Sequence, residues 1–357
     1  VPPFSDFPAQ LRDIMRGYCT QIDGGLQIDG SLEAPIVENQ VIEECARIRE
    51  RGIRAVVISG VFSPLDHKFH QEQSVRDIIN RELPGVAVVC SSEISNLGFL
   101  ERENASILNA SIHRFAKKTI RDFKTAMKRL NLQCGLYLTQ NDGTLLDAST
   151  AARLPIRTFS SGPTNSMRGA AYLCGLYEDG ATNPPTSIVC DVGGTTADFG
   201  VLLPSGYPRQ ALADGCIAGV KVNYGMPQVE SIGIAGGSIV RNAEGRVTVG
   251  RDSVGYSIKK RALVFGGDTV TATDIAVAIG SNTIGDASLV HRIDQDTITK
   301  TQAVIKREYE RICDLMKTAP EPLPLILVGG GSIICPSKLD GISSIIWPPH
   351  HDVANAV

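Results

Sequence analysis

The stretch SIVCDVGGTTADFGVLLPSG, from Ser187 to Gly206, decides how this chain reads. Apolar residues from Ile188 lead to Asp191 and Val192, then two glycines and two threonines; the apolar pattern resumes at Phe199, Val201 and Leu202. A strand, a tight turn and a second strand make a β-hairpin. Glycine at its tip lets backbone approach a ligand closely, and consecutive N–H groups form a concave anion site. The hydroxyls of Thr195 and Thr196 are donors suited to phosphate oxygens. Asp191 at the strand end and Asp198 beyond the turn can hold a magnesium ion through water or orient a nucleophile. Taken alone, the stretch fits a plain hairpin with a Gly-Gly turn equally well.

Further glycine clusters surround it in the sequence. Gly329, Gly330 and Gly331, followed by Ser332, come directly after the apolar run LILV, where a phosphate or a flat ligand can lie against backbone. Gly233, Gly236 and Gly237 lead to Ser238, and Ser160-Ser161-Gly162-Pro163 precedes a helical pattern in TNSMRGAAYLCGLY. With 35 glycines in the chain, each cluster alone fits an ordinary turn; several with adjoining Ser or Thr favour a nucleotide cleft. The lysine-bearing phosphate loop is excluded, because no G-x-x-x-x-G-K-[ST] occurs, and no G-x-G-x-x-G follows a strand. His67 with His70, and His350 with His351, make no H-x-H or H-E-x-x-H, so a zinc hydrolase has no signature here. Ser161 lies outside any G-x-S-x-G elbow.

Working outward, IRAVVISGVF (53–62) and GVAVVCSSEI (85–94) read as buried strands, with a helix in HQEQSVRDIINREL between them. That is a strand–helix–strand unit of a parallel α/β arrangement. ENQVIEECARIRERG reads as a helix capped at Gly52. Residues 104–130 form the clearest helix, with an apolar stripe of Leu108, Ile112, Phe115, Ile120, Phe123, Met127 and Leu130. Its basic residues read as a solvated face. Hairpins are predicted at 134–147 and 240–250, helices at 149–153, within 272–282 and over 298–318, and a last strand at 324–334. ATNPPTS (181–187) reads as a loop.

A chain of 357 residues suggests two domains. At a net charge of −3 nothing points to nucleic acid or an anionic membrane as partner, and no apolar run is long enough to span a bilayer. Nine scattered cysteines without a C-x-x-C pair fit a reducing, cytoplasmic compartment.

In their order, these motifs resemble the hydantoinase/oxoprolinase family, of the hydantoin-utilisation protein A type. RAVVISGVFSPLDHKFHQEQSVRDIINRELPGVAVVCSSEIS is similar to the end of that family's N-terminal domain, and RTFSSGPTNSMRGAAYL, DVGGTTADFGVL, ESIGIAGGSIV, TVTATDIAVAIG and LVGGGSIICPSKLDGI follow its core domain. The resemblance divides the chain into 1–103, the closing part of the N-terminal lobe, and 104–357, the core lobe. It implies an α/β actin-like ATPase fold, two RNase-H-like lobes around a nucleotide cleft. It also implies an ATP-dependent hydrolase that opens a cyclic amide, such as a hydantoin or 5-oxoproline, through a phosphorylated intermediate, with ATP and magnesium as cofactors. Relatives carboxylate ketones, so a carboxylase ATPase subunit, or an actin-like nucleotide module with little turnover, are the alternatives. Asp191 and Asp198 are the expected catalytic residues, with Asp191 the magnesium ligand. Gly193, Gly194, Thr195 and Thr196 resemble the family's second phosphate hairpin, Gly329 to Ser332 its adenosine-side loop, and Gly236, Gly237 and Ser238 its inner glycine loop. Thr273 and Asp274 match its Thr-Asp before a helix, and Asn355 its Ala-Asn-Ala. The expected partners are the cyclic amide, a second copy of the chain, and a second subunit or a further C-terminal domain.

The chain departs from the pattern in places. The family's first Asp-x-Gly-Gly-Thr hairpin is absent from 1–357 and is expected upstream of Val1. Gln228-Val-Glu230-Ser231 stands where the family has Asp-Ile-His-Thr, and Ser92 where it often has His.

Overall fold

The computed structural model describes residues 2–176, 185–211 and 215–356. Most of the predicted loop 181–187 lies outside the described residues. The chain forms two compact units, one of residues 1–159 with 211–226, the other of residues 160–210 with 227–357.

The first unit opens with α1 (Ala9–Met15) and α2 (Glu38–Glu50). Gly52, just past α2, has φ +65°, the left-handed conformation expected of a helix-ending glycine. The predicted strand–helix–strand unit is present as β1 (Ala55–Ile58), α3 (Gln71–Glu82) and β2 (Ala87–Cys90), with the strands parallel and Ala55 opposite Ala87. Alternation along the strands gives each face its own core. Val56 and Val88 pack with Val41, Cys45, Ile48, Val75 and Ile79 from α2 and α3. Val57 and Val89 pack instead with Ala105 and Leu108 of α4 (Phe99–Arg129). The hairpin of β3 (Tyr137–Thr139) and β4 (Leu145–Asp147) follows, then α5 (Ala148–Arg153), capped by the Asp147 carboxylate.

The boundary expected at residue 103 falls inside α4, which runs unbroken for 31 residues. The compact units therefore part at 159/160, beyond the elements packed on that helix. Its expected stripe is also only partly buried. Ile120 is covered, whereas Phe115 and Phe123 are 75% and 58% exposed.

The second unit begins with α6 (Ser161–Leu173), β5 (Ser187–Val192) and β6 (Ala197–Leu202). The chain returns to the first unit for the small hairpin β7 (Gly215–Ile217) and β8 (Val220–Val222). It then completes the second with β9 (Val229–Ile232), the hairpin β10 (Ser238–Ala243) and β11 (Arg246–Ser253), α7 (Ile258–Arg261), α8 (Ala272–Ala278), α9 (Gln295–Met316), β12 (Leu323–Val328) and β13 (Ile342–Ile346). Its sheet has the order β13-β12-β5-β6-β9, antiparallel between β5, β6 and β9 and parallel from β5 through β12 to β13. The expectation of one last strand over 324–334 is corrected. The strand ends at Val328, the glycines form a loop, Ser332–Ile334 is a 3-10 turn, and β13 lies beyond.

Cys190, Val192, Phe199 and Val201 bury one face of this sheet against α8 and α9, where Phe199 meets Tyr309 edge-to-face at 5.2 Å. Val189, Leu202, Ile326 and Val328 bury the other against Met167, Ala170 and Ala171 of α6. No helix among the described residues is long and apolar enough to cross a membrane.

Candidate functional site

The site is built where the C-terminal ends of β5 and β12 leave the core of the second unit. The hairpin turn closes through the Gly193 N–H, which donates to the Thr196 carbonyl at 2.9 Å. Asp191 and Asp198 are register partners across β5 and β6. Alternation places both on the α6 side of the sheet, opposite the Phe199 core.

The three glycine clusters converge. The Gly236 N–H donates to the Gly193 carbonyl at 3.1 Å, the Gly237 N–H to the Gly194 carbonyl at 2.8 Å, and the Gly331 N–H to the Val192 carbonyl at 2.8 Å. The Ser253 hydroxyl donates to the Gly194 carbonyl at 3.0 Å. A methyl group at Gly237 would stand 2.6 Å from that same carbonyl oxygen, so the close approach of the two loops requires glycine. Gly329 has φ +83°, and a Cβ there would overlap the Asp191 carboxylate; its N–H donates to the His351 carbonyl at 2.8 Å.

These bonds hold the hairpin from behind and leave its tip open. Among the described residues, the N–H groups of Gly194, Thr195 and Gly330 and the hydroxyls of Thr195 and Thr196 donate to no protein acceptor. A side chain built at Gly194 or Gly330 would meet nothing within 4 Å. Free N–H groups on successive turn residues, with hydroxyls beside them, are an anion cradle. Gly236 and Gly237 spend their N–H groups on the hairpin, and the Ser238 hydroxyl donates to the Gly233 carbonyl while accepting from the Ala235 N–H. The inner loop is thus a prop under the cradle. Ser332 is buried, its hydroxyl without a partner.

Sequence reasoning missed the residues that hold the two carboxylates. The Ser166 hydroxyl, from the second turn of α6, donates to Asp191 Oδ2 at 2.5 Å, and the Ser231 hydroxyl of β9 donates to Asp198 Oδ1. Serine at helical spacing from Ser161-Gly-Pro was the available signal for Ser166. Ser231 stood out only as a departure from the family pattern. Burial pushes the Asp198 carboxyl above the ordinary range; the Ser231 hydrogen bond opposes this, and the Asp191 charge adds to it. Thr273 and Asp274 have structural work. The Thr273 hydroxyl donates to the Gly236 carbonyl at 2.9 Å, and the Asp274 carboxylate closes a capping box with Thr271 at the start of α8. Asn355 lies in the turn His351–Ala356, whose Ala354 backbone packs on Gly169 of α6.

No group of three or more His, Cys, Asp or Glu side chains that could hold a metal occurs among the described residues. Two carboxylates beside an open anion cradle nevertheless suit magnesium, which takes one or two carboxylates and completes its shell with water and phosphate oxygens. A phosphate chain also suits the cradle, because the open N–H groups of Gly194, Thr195 and Gly330 and the Thr195 and Thr196 hydroxyls are donors for its oxygens.

The same region carries the likeness to known proteins. The hydantoinase/oxoprolinase family matches residues 102–350, and the hydantoinase/oxoprolinase N-terminal region matches residues 10–83. The gamma subunit of acetophenone carboxylase from Aromatoleum aromaticum is 30% identical over 285 residues, covering 76% of this chain and 36% of that protein. The alpha subunit of caprolactamase from Pseudomonas jessenii is 26% identical over 261 residues, covering 72% and 36%. Among solved structures, nucleotide-free acetone carboxylase superposes with a TM-score of 0.69 at 18% identity, over 94% of this chain and 51% of that one. The ATP-dependent caprolactamase of Pseudomonas jessenii gives 0.69 at 21% identity, over 87% and 47%. The chain spans 36% of the length of the curated relatives it matches. With its N-terminal region and core both matched in order, and a site assembled from the core's glycine loops, the chain belongs to the hydantoinase/oxoprolinase family.

Proposed function

We propose that this chain carries the nucleotide-phosphate site of an ATP-dependent enzyme that opens a cyclic amide through a phosphorylated intermediate. The observation that carries the proposal is the cradle: Gly194, Thr195 and Gly330 present free N–H groups beside Asp191, on a turn braced from two sides. The mixed five-stranded sheet, an antiparallel meander followed by two parallel strands, supports reading the second unit as one RNase-H-like lobe of an actin-like ATPase.

ATP supplies the phosphoryl group that makes an amide carbonyl carbon open to water, and magnesium offsets the phosphate charge. The N–H groups and threonine hydroxyls of the hairpin orient the phosphate oxygens. Asp191, fixed between the Ser166 hydroxyl and Gly329, is the residue that would hold magnesium. Asp198, with its raised affinity for protons, accepts the proton of a nearby water or hydroxyl. The relatives named as caprolactamase and as an ATP-dependent caprolactamase support the ring-opening reading.

A second reading, the ATPase subunit of a ketone carboxylase working with a second chain, is favoured by the 30% identity to the acetophenone carboxylase gamma subunit. Phosphate release separates the two. Stimulation by hydantoin, 5-oxoproline or a lactam supports ring opening. Stimulation only by a ketone with bicarbonate replaces it with carboxylation, and ATP binding without stimulation by either leaves a nucleotide module.

A further inference from the structure

The cradle has an uneven charge balance. Its donors, the N–H groups of Gly194, Thr195 and Gly330 and the hydroxyls of Thr195 and Thr196, are neutral, and the side chains beside it that ionise are Asp191 and Asp198. A triphosphate keeps negative charge after a magnesium ion binds, so such a site gains from a cation at its rim. The glycine loops and the hairpin supply none.

The two ends of the cradle are held by different elements. The Gly331 N–H meets the Val192 carbonyl at the root of the turn, which sets Gly330 at that end. The tip is held by the chain leaving β11. The Ser253 hydroxyl donates to the Gly194 carbonyl at 3.0 Å and accepts from the Gly255 N–H at 3.0 Å. The Val254 N–H donates to the Gly237 carbonyl at 2.9 Å, and a Cβ on Gly255 would stand 3.7 Å from the Thr195 methyl. From there the 3-10 turn Gly255–Ser257 runs directly into α7, Ile258-Lys-Lys-Arg261.

That helix is anchored from within. Ile258 and Ala262 pack with Leu263, Val264, Val277 and Val290. The Arg261 guanidinium donates to the Thr269 hydroxyl at 3.4 Å. Lys259 and Lys260 are exposed, and among the described residues their ammonium groups make no ion pair or hydrogen bond. The acids nearby in the chain are engaged by other groups: Asp252 pairs with Arg241 at 2.6 Å, and Asp268 accepts from the Thr269 hydroxyl at 2.8 Å. Tyr256, between the tip contact and the lysines, is 100% exposed, so no described residue packs over this rim. Two adjacent surface lysines are ordinarily only a solvated face. These two follow a segment tied to the tip of an anion cradle that has no cation of its own.

We infer that Lys259 and Lys260 are binding residues of the phosphate site, holding the end of the phosphate chain that lies over Gly194 and Thr195. The inference rests on the phosphate-site reading above and adds to it two residues from outside the glycine loops. Lysine suits the task as a mobile point charge on a flexible stem.

The test is calorimetric titration of the 1–357 chain with inorganic tripolyphosphate and with ATP–magnesium. The double variant Lys259→Gln, Lys260→Gln should bind both about tenfold more weakly, the scale of a charge-assisted hydrogen bond screened by solvent. Added salt should weaken the parent more than this variant. Lys259→Arg with Lys260→Arg keeps the charge and should restore most of the affinity. Both side chains are exposed, so the melting temperature of the glutamine variant should match the parent's. Thr195→Val, in the cradle itself, probes the underlying reading separately. Weaker binding by Thr195→Val with full affinity in the glutamine variant, or equal salt dependence of parent and glutamine variant, overturns this inference and spares the phosphate site. Weaker binding by the glutamine variant with full affinity in Thr195→Val places the polyphosphate away from the cradle and overturns the phosphate-site reading itself. No binding of either ligand by the parent removes both.

Discussion

At the scale of the residue, the two aspartates of the hairpin are held differently and should fail differently. Asp191 is only half-buried, with one side-chain hydrogen bond, from Ser166. Removing it costs about 1 kcal/mol of stability, whereas losing a phosphate-site carboxylate removes charge stabilisation in the transition state. Asp191→Ala should therefore lower ATP-dependent phosphate release by about 100-fold or more and move the melting temperature little; full activity would sink the phosphate-site reading. Asp198 is the opposite case. Its carboxyl has a folded-state pKa raised by burial, against the Ser231 hydrogen bond and with the Asp191 charge adding. The folded state then holds the proton more tightly than the unfolded chain. Stability contributed by this group falls as pH rises from the ordinary aspartate range through the raised value, and at neutral pH the charged carboxylate is a net cost. Asp198→Asn should raise the melting temperature at pH 7, leave it nearly unchanged at pH 3, and reduce turnover. Thermal melts at the two pH values check the sign, and a variant less stable at pH 7 would contradict it.

At the scale of the element, α6 joins the cradle to the turn His351–Ala356. Gly169 lies so close to the Ala354 carbonyl that an added methyl would overlap it. The same turn supplies the His351 carbonyl that receives the Gly329 N–H. Gly169→Ala should cost about 1–3 kcal/mol by overpacking, read from urea unfolding. It should also weaken nucleotide binding, because the turn cannot move without releasing Gly329. An unchanged midpoint would show that the helix and turn are not tightly coupled. This coupling was invisible in the sequence, where Gly169 is one glycine inside a helical pattern. The hairpin itself was legible, since Val192-Gly-Gly-Thr between apolar runs has few other foldings. The parallel β1-α3-β2 unit and the Glu-Gly turn of β10 and β11 were legible for similar reasons, with Glu244 and Gly245 at φ +53° and +81°. β9 and β13 were not. Val229–Ile232 carries Glu and Ser in its middle, and Ile342–Ile346 has two serines where a core strand would be apolar. Both lie at sheet edges, where burial imposes little pattern. The exposed Phe115 and Phe123 of α4 show the reverse error, a stripe longer than the surface that covers it.

At the scale of the whole molecule, the proposed actin-like reading makes nucleotide affinity depend on the number of phosphate hairpins. Residues 1–357 contain one Asp-x-Gly-Gly-Thr, at Asp191 to Thr195, whereas an actin-like ATPase closes two such hairpins on the β- and γ-phosphates. One hairpin offers the free N–H groups of Gly194, Thr195 and Gly330 and two hydroxyls. Each hydrogen bond to a charged oxygen is worth about 1.5–3 kcal/mol, so a second hairpin contributing two of them would tighten binding by about 100-fold or more. The 1–357 chain alone should therefore bind ATP–magnesium with a Kd of about 0.1 mM or weaker, and release phosphate slowly. Supplying a polypeptide with a second Asp-x-Gly-Gly-Thr hairpin in the family's N-terminal position should bring the Kd down by that factor. Calorimetry decides the matter: submicromolar binding by 1–357 alone would mean that the single cradle grips the nucleotide without a counterpart, and the two-hairpin account would have to go.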